Sequence, residues 1–127
     1  MRIGRRLRQQ TGTAELSVND SLLLATISRR PGIGVSDLAA MERTTRATMS
    51  LHVKRLEAGG WLTRQPVAED RRRAELALSP RAQKVMAEAR RRRDDWLERQ
   101  LQRLPDEARA RLHAAADVLT MLAEQDG

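Results

Sequence analysis

The chain has 127 residues, enough for one domain with a buried core, and its 24 basic and 17 acidic side chains give a net charge of +7. It has no cysteine and only two histidines, which excludes disulfides and a cysteine nucleophile and predicts neither a metal site nor another cofactor. No apolar run is long enough for a signal peptide or a membrane span, so the composition predicts a soluble cytoplasmic protein with an anionic partner.

The positive charge is concentrated in the middle of the chain. Residues 43–73 carry 8 basic and 3 acidic side chains, whereas residues 94–127 carry 4 basic and 8 acidic ones. Because an acidic segment repels a polyanion, a nucleic acid is expected to contact the middle of the chain. Arginines that merely coat solvated helices would give a similar count. The positions of the arginines within the predicted elements therefore distinguish a nucleic-acid surface from a solvated one.

The first two predicted helices cover residues 1–11 and about 18–30. Ser17 precedes an apolar run and has Asp20 three positions later, which predicts a helix that begins with a serine cap and an acidic first turn. Pro31, followed by glycine, ends that helix because proline cannot continue the hydrogen-bond ladder.

Two further helices are predicted after a short extended link. Ser36 is expected to cap a very short helix over residues 37–42, and Thr45 to cap a helix over residues 46–58. The pair Gly59 and Gly60 ends the second of these helices, because glycine tolerates the left-handed conformation found at helix C-termini.

The remaining elements are a hairpin and two long helices. Residues 61–65 and 73–78 alternate as strands do, and the polar residues 66–72 between them predict a charged loop. A serine and a proline then start a helix that reaches about residue 103, and a last helix covers residues 105–124. This order of elements predicts a mainly α fold with a two-stranded β-hairpin wing, the winged helix-turn-helix.

The helix over residues 46–58 divides into a buried and an outward face. At about 100° per residue, Met49, Val53 and Leu56 form one apolar stripe, with His52 packed at its edge. The outward face suits a major groove, since arginine pairs with guanine, small residues allow close approach and leucine or alanine contacts a thymine methyl. The candidate DNA-binding residues in and before this helix are Ser36, Thr45, Arg46, Ala47, Thr48, Ser50, Leu51, Lys54 and Arg55.

The tip of the hairpin supplies a second candidate contact. Asp70, Arg71, Arg72 and Arg73 follow one another there, and three adjacent arginines on an exposed turn can reach phosphates or a narrow minor groove. We expect Asp70 to hold Arg72 by an ion pair and so to set its direction. A solvated run of charges is the alternative interpretation of the tip alone.

The ordered set of these motifs resembles the MarR family of bacterial transcriptional regulators. The resemblance rests on residues 36–43 (SDLAAMER), on Met49 and its neighbours, on residues 56–61 (LEAGGW), and on the wing with the strand-to-helix junction that follows it. It implies a homodimer built by the first and last two helices, recognition helices in successive major grooves of a palindrome, and wings on the flanking minor grooves. Arg43 and Thr44 stand where the family usually has glycine and valine, so the turn before the recognition helix is expected to be strained.

The predicted organisation is therefore one domain over residues 1–127, with a winged helix-turn-helix lobe over about 17–79 and dimerisation helices over about 1–11 and 80–124. The expected function is that of a sequence-specific regulator of transcription, most often a repressor, located on the bacterial nucleoid. A winged-helix module that binds proteins and has lost DNA binding is the alternative. An enzyme is not expected, because no glycine-rich phosphate loop and no set of nucleophile, base and acid is present.

The long fifth helix carries a run of arginines over residues 90–93. Four successive residues cover most of a helix circumference, so Arg92 and Arg93 should lie beside the apolar stripe of Val85, Ala89 and Trp96. A guanidinium in that position needs an acidic partner or apolar surface for its stem. The other interpretation is that Arg92 and Arg93 bind a small-molecule effector of unknown identity.

Overall fold

Six helices and one antiparallel hairpin form the described part of the protein. The computed structural model describes residues 2–125, apart from the side chains of Arg71 and Arg72. The elements are α1 (Arg2–Thr11), α2 (Val18–Arg29), α3 (Val35–Met41), α4 (Arg46–Ala58), β1 (Leu62–Val67), β2 (Asp70–Leu78), α5 (Pro80–Gln102) and α6 (Asp106–Glu124). The predicted mainly α fold with a two-stranded wing is confirmed. The chain divides into two compact units, one up to Arg93 and one from Asp94 onward.

Three of the predicted helix caps are present as expected. Ser17 Oγ accepts a hydrogen bond of 3.1 Å from the Asp20 amide, Thr45 Oγ1 accepts one of 3.1 Å from the Thr48 amide, and Ser79 Oγ accepts one of 3.1 Å from the Ala82 amide. Each bond satisfies an amide in the first turn that has no partner inside the helix. The boundaries of α2 and α4 therefore follow from local sequence to within one residue.

The predicted cap of α3 is wrong. The helix begins at Val35 with Gly34 as its N-cap, and Ser36 is an exposed second residue of the helix. A long-range contact fixes this start, because the amide of Leu76 in β2 donates a 2.8 Å hydrogen bond to the carbonyl of Ile33. A Cβ at position 34 would lie only 3.4 Å from the Ala74 carbonyl oxygen, so glycine permits this close approach.

The predicted loop over residues 66–72 is also wrong. The strands continue to a two-residue turn at Ala68 and Glu69, so most of the predicted loop belongs to β1 and β2. The pairing runs from Leu62 opposite Leu78 to Pro66 opposite Ala74 and then shifts, with Val67 opposite Asp70. Polar composition marked the tip correctly, but the ladder is made by backbone groups, which charged side chains on an exposed ribbon do not interrupt.

The core lies in the first unit and is drawn from every element between α2 and the start of α5. Fully buried members come from α2, α3, α4 and β2: Leu24, Ile27, Leu38, Val53, Leu56 and Leu76. This apolar cluster fixes α3 and α4 against α2 and the hairpin, which determines which face of α4 remains in solvent. Within the described residues no helix is both long and apolar enough to cross a membrane.

Candidate nucleic-acid interface

The outward face of α4 is as predicted. Met49, Val53 and Leu56 are buried in the core. On the opposite face Leu51 is 69% exposed, and the other outward residues Arg46, Ala47, Thr48 and Lys54 are also exposed, while Ser50 is half-buried. His52 is exposed rather than packed, because the core stripe needs only three positions on this helix. The face therefore combines cations, small residues and one large apolar side chain.

The cations on this face form no ion pair within the described residues. Within the described residues, neither Arg46 nor Lys54 forms an ion pair or a side-chain hydrogen bond, and Arg43 in the preceding turn forms none either. All three are exposed. Their positive charge is therefore available to an anion that approaches α4 from solvent.

Arg55 differs from these cations because it is held by Asp20. Its guanidinium makes a two-pronged contact with the Asp20 carboxylate, with N–O distances of 2.6 and 3.1 Å. The Asp20 side chain is 15% exposed and that of Arg55 is 56% exposed. The hydrogen bonds from Arg55 hold the pKa of Asp20 below its usual range, despite the opposing effect of burial. The pair ties the second half of α4 to the first turn of α2.

Two further ion pairs attach the hairpin to the helices. Arg64 Nε in β1 lies 3.0 Å from a carboxylate oxygen of Glu57 in α4, and Arg73 in β2 lies 3.4 Å from Asp37 in α3. Arg73, predicted as a DNA contact of the tip, therefore reaches α3 in this structure. Asp70 is exposed at the start of β2, and its predicted pairing with Arg72 lies outside the described residues, as do the side chains of Arg71 and Arg72.

The turn between α3 and α4 contains a strained residue, as the comparison with the family's usual glycine predicted. Arg43 has a φ of 52°, the only positive φ of a non-glycine residue in the part of the chain described. The Thr44 amide donates a 3.0 Å hydrogen bond to the Ala39 carbonyl, which holds the turn. Left-handed backbone costs about 1–2 kcal/mol in a residue with a Cβ. At Arg43 this conformation sets the direction in which α4 begins.

The end of α4 is anchored by contacts that sequence reasoning did not predict. The Arg81 guanidinium lies 4.0 Å from the centroid of the Trp61 ring and donates a 3.1 Å hydrogen bond to the Gly59 carbonyl. Ser79 Oγ donates to the Gly60 carbonyl at 2.6 Å. For Asp20, the sequence indicated a place in the acidic first turn of α2 but not its pairing with Arg55. Nothing in the sequence pairs Arg81 with Trp61, because the two residues are distant along the chain.

The burial predicted for the arginine run holds for only one of its two candidates. Arg92 is exposed, so it does not lie beside the buried stripe as predicted, while Arg93 is half-buried and makes an interaction. The reason is that Ala89 is the last buried residue of α5, so the buried part of the apolar stripe ends before Arg92. A cleft of about 510 Å³ between α2 and α4, lined in part by Leu23, Met49 and His52, contains neither arginine.

Comparison with known proteins supports one family. The model of the MarR family matches residues 16–74, from just before α2 into the second strand. The solved structure of a putative transcriptional regulator from Pseudomonas aeruginosa is 28% identical, with a TM-score of 0.80 over 97% of this chain and 86% of that chain. Together these matches support a MarR-family winged-helix regulator. Members of the MarR family are transcriptional regulators rather than enzymes.

Two further relatives extend the likeness over at least 95% of this chain. An HTH-type transcriptional regulator of Mycobacterium leprae is 27% identical over 125 residues, which cover 98% of this chain and 87% of the relative. FabT of Streptococcus pneumoniae, solved in complex with DNA, is 18% identical, with a TM-score of 0.73 over 95% of this chain and 86% of that chain. The FabT likeness, at this identity, shows a shared fold.

Proposed function

We propose that this MarR-family regulator binds double-stranded DNA through the outward face of α4, inserted in the major groove. The observation that carries the proposal is that Arg46 and Lys54 are exposed without acidic partners, beside the small Ala47 and the 69% exposed Leu51. Cations, small residues and one apolar side chain on a helix surface match the phosphates, edges and methyl groups of a major groove. FabT, which shares the fold, has been solved with DNA.

Two residues of α4 are assigned to base contacts. Arg46 is in the first turn of the helix, where its guanidinium can pair with the two acceptors of a guanine. Leu51 can contact the methyl group of a thymine, which would remove its apolar surface from water. The hydroxyls of four residues at the start of α3, at the N-cap of α4 and in the first half of α4 are assigned to phosphates and sugars: Ser36, Thr45, Thr48 and Ser50.

The wing is assigned a sequence-independent contact. Arg71, Arg72 and Arg73 are proposed to act on phosphates or on the narrow minor groove beside the α4 site, with Asp70 orienting the tip. Arg72→Ala should then weaken binding to all duplexes evenly, whereas Arg46→Ala should change which sequences are bound, by about 1–3 kcal/mol at one base pair.

A homodimer on a palindromic operator, acting as a repressor in the bacterial cytoplasm, completes the proposal. The apolar residues of α6 favour a dimer, because Leu112, Val118, Leu119, Met121 and Leu122 are between 42% and 60% exposed. A single water-exposed helix does not need so wide an apolar face, and a second copy could cover it. The dimerisation helices would then be α1, α5 and α6.

The test is a binding titration on a duplex selected from genomic DNA and on its scrambled counterpart, at salt concentrations between 50 and 200 mM. If the dimer neutralises about 6–10 phosphates, affinity falls by about 10³–10⁵ over this range. Replacing the thymines by deoxyuridine should weaken binding of the wild type several-fold and leave Leu51→Ala unaffected. No salt-dependent binding to either duplex would refute DNA binding.

A protein-binding module that has lost DNA binding is the second candidate. The exposed Leu51 favours it, because an apolar side chain in the middle of a polar helix face can also anchor a protein partner. Affinity with a flat salt response, lost in Leu51→Ala and kept in Arg46→Ala, would support this alternative.

A further inference from the structure

The helix α1 presents a face made of arginine. Arg2, Arg5, Arg6 and Arg8 are all exposed, and no acidic residue occurs before Glu15. None of the four forms an ion pair or hydrogen bond within the described residues, whereas Arg55, Arg64, Arg73 and Arg81 each reach a carboxylate. We call these four residues the α1 arginine face.

The α1 arginine face opposes the stability of its own helix. Arg2 and Arg6 are four residues apart, and two more pairs of arginines are three apart, so like charges lie one turn from each other. The first turn has no acid to match the positive end of the helix dipole. In α6, by contrast, Asp106 and Glu107 occupy the first turn and pair with Arg109 and Arg111. An anion bound to α1 would relieve the repulsion.

The other side of α1 is already used by the protein. Gly4, Leu7, Gln10 and Thr11 are half-buried, α1 contacts α2, and Thr11 Oγ1 donates a 3.0 Å hydrogen bond to the Leu7 carbonyl. The arginines therefore lie on the side of α1 that is turned away from α2. A helix that binds a membrane surface needs a free apolar face, and α1 has none to offer beyond Ile3.

We propose that the α1 arginine face binds the phosphate backbone of duplex DNA outside the bases contacted by α4 and the wing, without sequence preference. The proposal rests on the proposed DNA-binding function. Ten helical residues span about 15 Å, a length of duplex that carries about nine phosphates. All four cations are arginine, whose guanidinium binds phosphate in a two-pronged geometry that lysine lacks.

Duplex DNA fits this charge better than a second copy of the chain. The acidic residues that open α6, Asp106 and Glu107, are already compensated by arginines of the same helix. The other two acids of α6, Asp117 and Glu124, lie seven positions apart and offer only two scattered charges. A duplex offers an uncompensated phosphate at every step, and its repeating charge matches a face on which cations recur every three or four residues.

The experiment compares a minimal selected duplex with the same duplex extended by about ten base pairs on each side. The wild type should bind the extended duplex at least about tenfold more tightly at 50 mM salt, with a steeper salt dependence. The triple variant Arg5→Gln, Arg6→Gln, Arg8→Gln should lose this gain and keep its preference for the selected over the scrambled sequence. The slope of log K against log salt should fall by about 0.9 for each phosphate contact removed.

A matched variant separates this surface from net charge. Arg91→Gln, Arg99→Gln, Arg103→Gln removes the same three charges from exposed positions of α5 and the residue after it, and it should keep the gain. Because α1 also belongs to the proposed dimer, sedimentation checks the oligomeric state of each variant. The triple arginine-to-lysine variant of α1 keeps the charge and should retain most of the gain, even if the glutamine variant dissociates.

Three results would overturn the proposal. The first is an equal gain and slope in the wild type and in the glutamine variant of α1. The second is loss of the gain in the α5 variant to the same extent. The third is binding of polyglutamate, abolished by the α1 variant, without any gain from duplex extension, which would assign the face to an acidic protein. Sequence-specific binding of the minimal duplex in any of these cases would leave the proposed function intact.

Discussion

Breaking the ion pair between Asp20 and Arg55 tests how α4 is oriented. The pair has two N–O contacts of 2.6 and 3.1 Å, and its carboxylate is only 15% exposed. Exposed pairs contribute about 0.2–1 kcal/mol, and a two-pronged pair with one largely buried partner belongs at the upper end of that range. We therefore expect a coupling energy of about 1 kcal/mol between Asp20→Asn and Arg55→Gln.

Urea unfolding of the wild type, both single variants and the double variant measures this coupling. In a domain of this size about 1 kcal/mol corresponds to a shift in Tm of roughly 3–5 °C. The control is the cycle between Asp37→Asn and Arg73→Gln, a single contact of 3.4 Å in which both side chains are about 60% exposed. Its coupling should be below about 0.3 kcal/mol.

The same pair predicts a dependence on pH. Because Arg55 lowers the pKa of Asp20 in the folded protein, the stabilisation is complete above the pKa of the unfolded chain, about 3.9. It is lost as the pH falls from about 4 through the lower pKa of the folded state. Asp20→Asn should remove this part of the acid dependence. A coupling below 0.3 kcal/mol, or an unchanged acid profile in Asp20→Asn, would refute the reasoning.

Three other substitutions test the packing around the α4 surface, each by the free energy of unfolding in urea. Ser21 is fully buried and its hydroxyl has no hydrogen-bond partner within the described residues. Ser21→Ala should therefore raise the free energy of unfolding by about 1 kcal/mol, and a decrease would show that the hydroxyl does have a partner. Arg43→Gly should raise it by about 0.5–1 kcal/mol by removing the strain at φ 52°, with Arg43→Ala as the control that gains nothing. Leu56→Ala should cost about 2–5 kcal/mol, since the side chain is 1% exposed, whereas Leu51→Ala should cost less than about 0.5 kcal/mol.

The sequence by itself determined the elements whose signals are local. The caps at Ser17 and Thr45, the apolar stripe of α4 and the exposure of Leu51 all follow from residues within one or two turns of each other. Helix periodicity and capping depend on neighbours three or four positions away, so a single sequence contains the whole signal. The strained turn at Arg43 was instead indicated by the resemblance to the MarR family, which usually has glycine there, and glycine adopts a positive φ without cost.

Only the tertiary structure decided the features that join distant parts of the chain. The start of α3 depends on a bond between Ile33 and Leu76, and the orientation of α4 depends on an acid 35 positions before Arg55. The sequence gives the charge of Arg55 and Arg46 equally, but only the fold supplies one of them with a carboxylate and leaves the other exposed to solvent. A charge's availability to DNA is therefore set by neighbours that the order of residues does not reveal, because electrostatic partners meet through packing rather than through spacing along the chain.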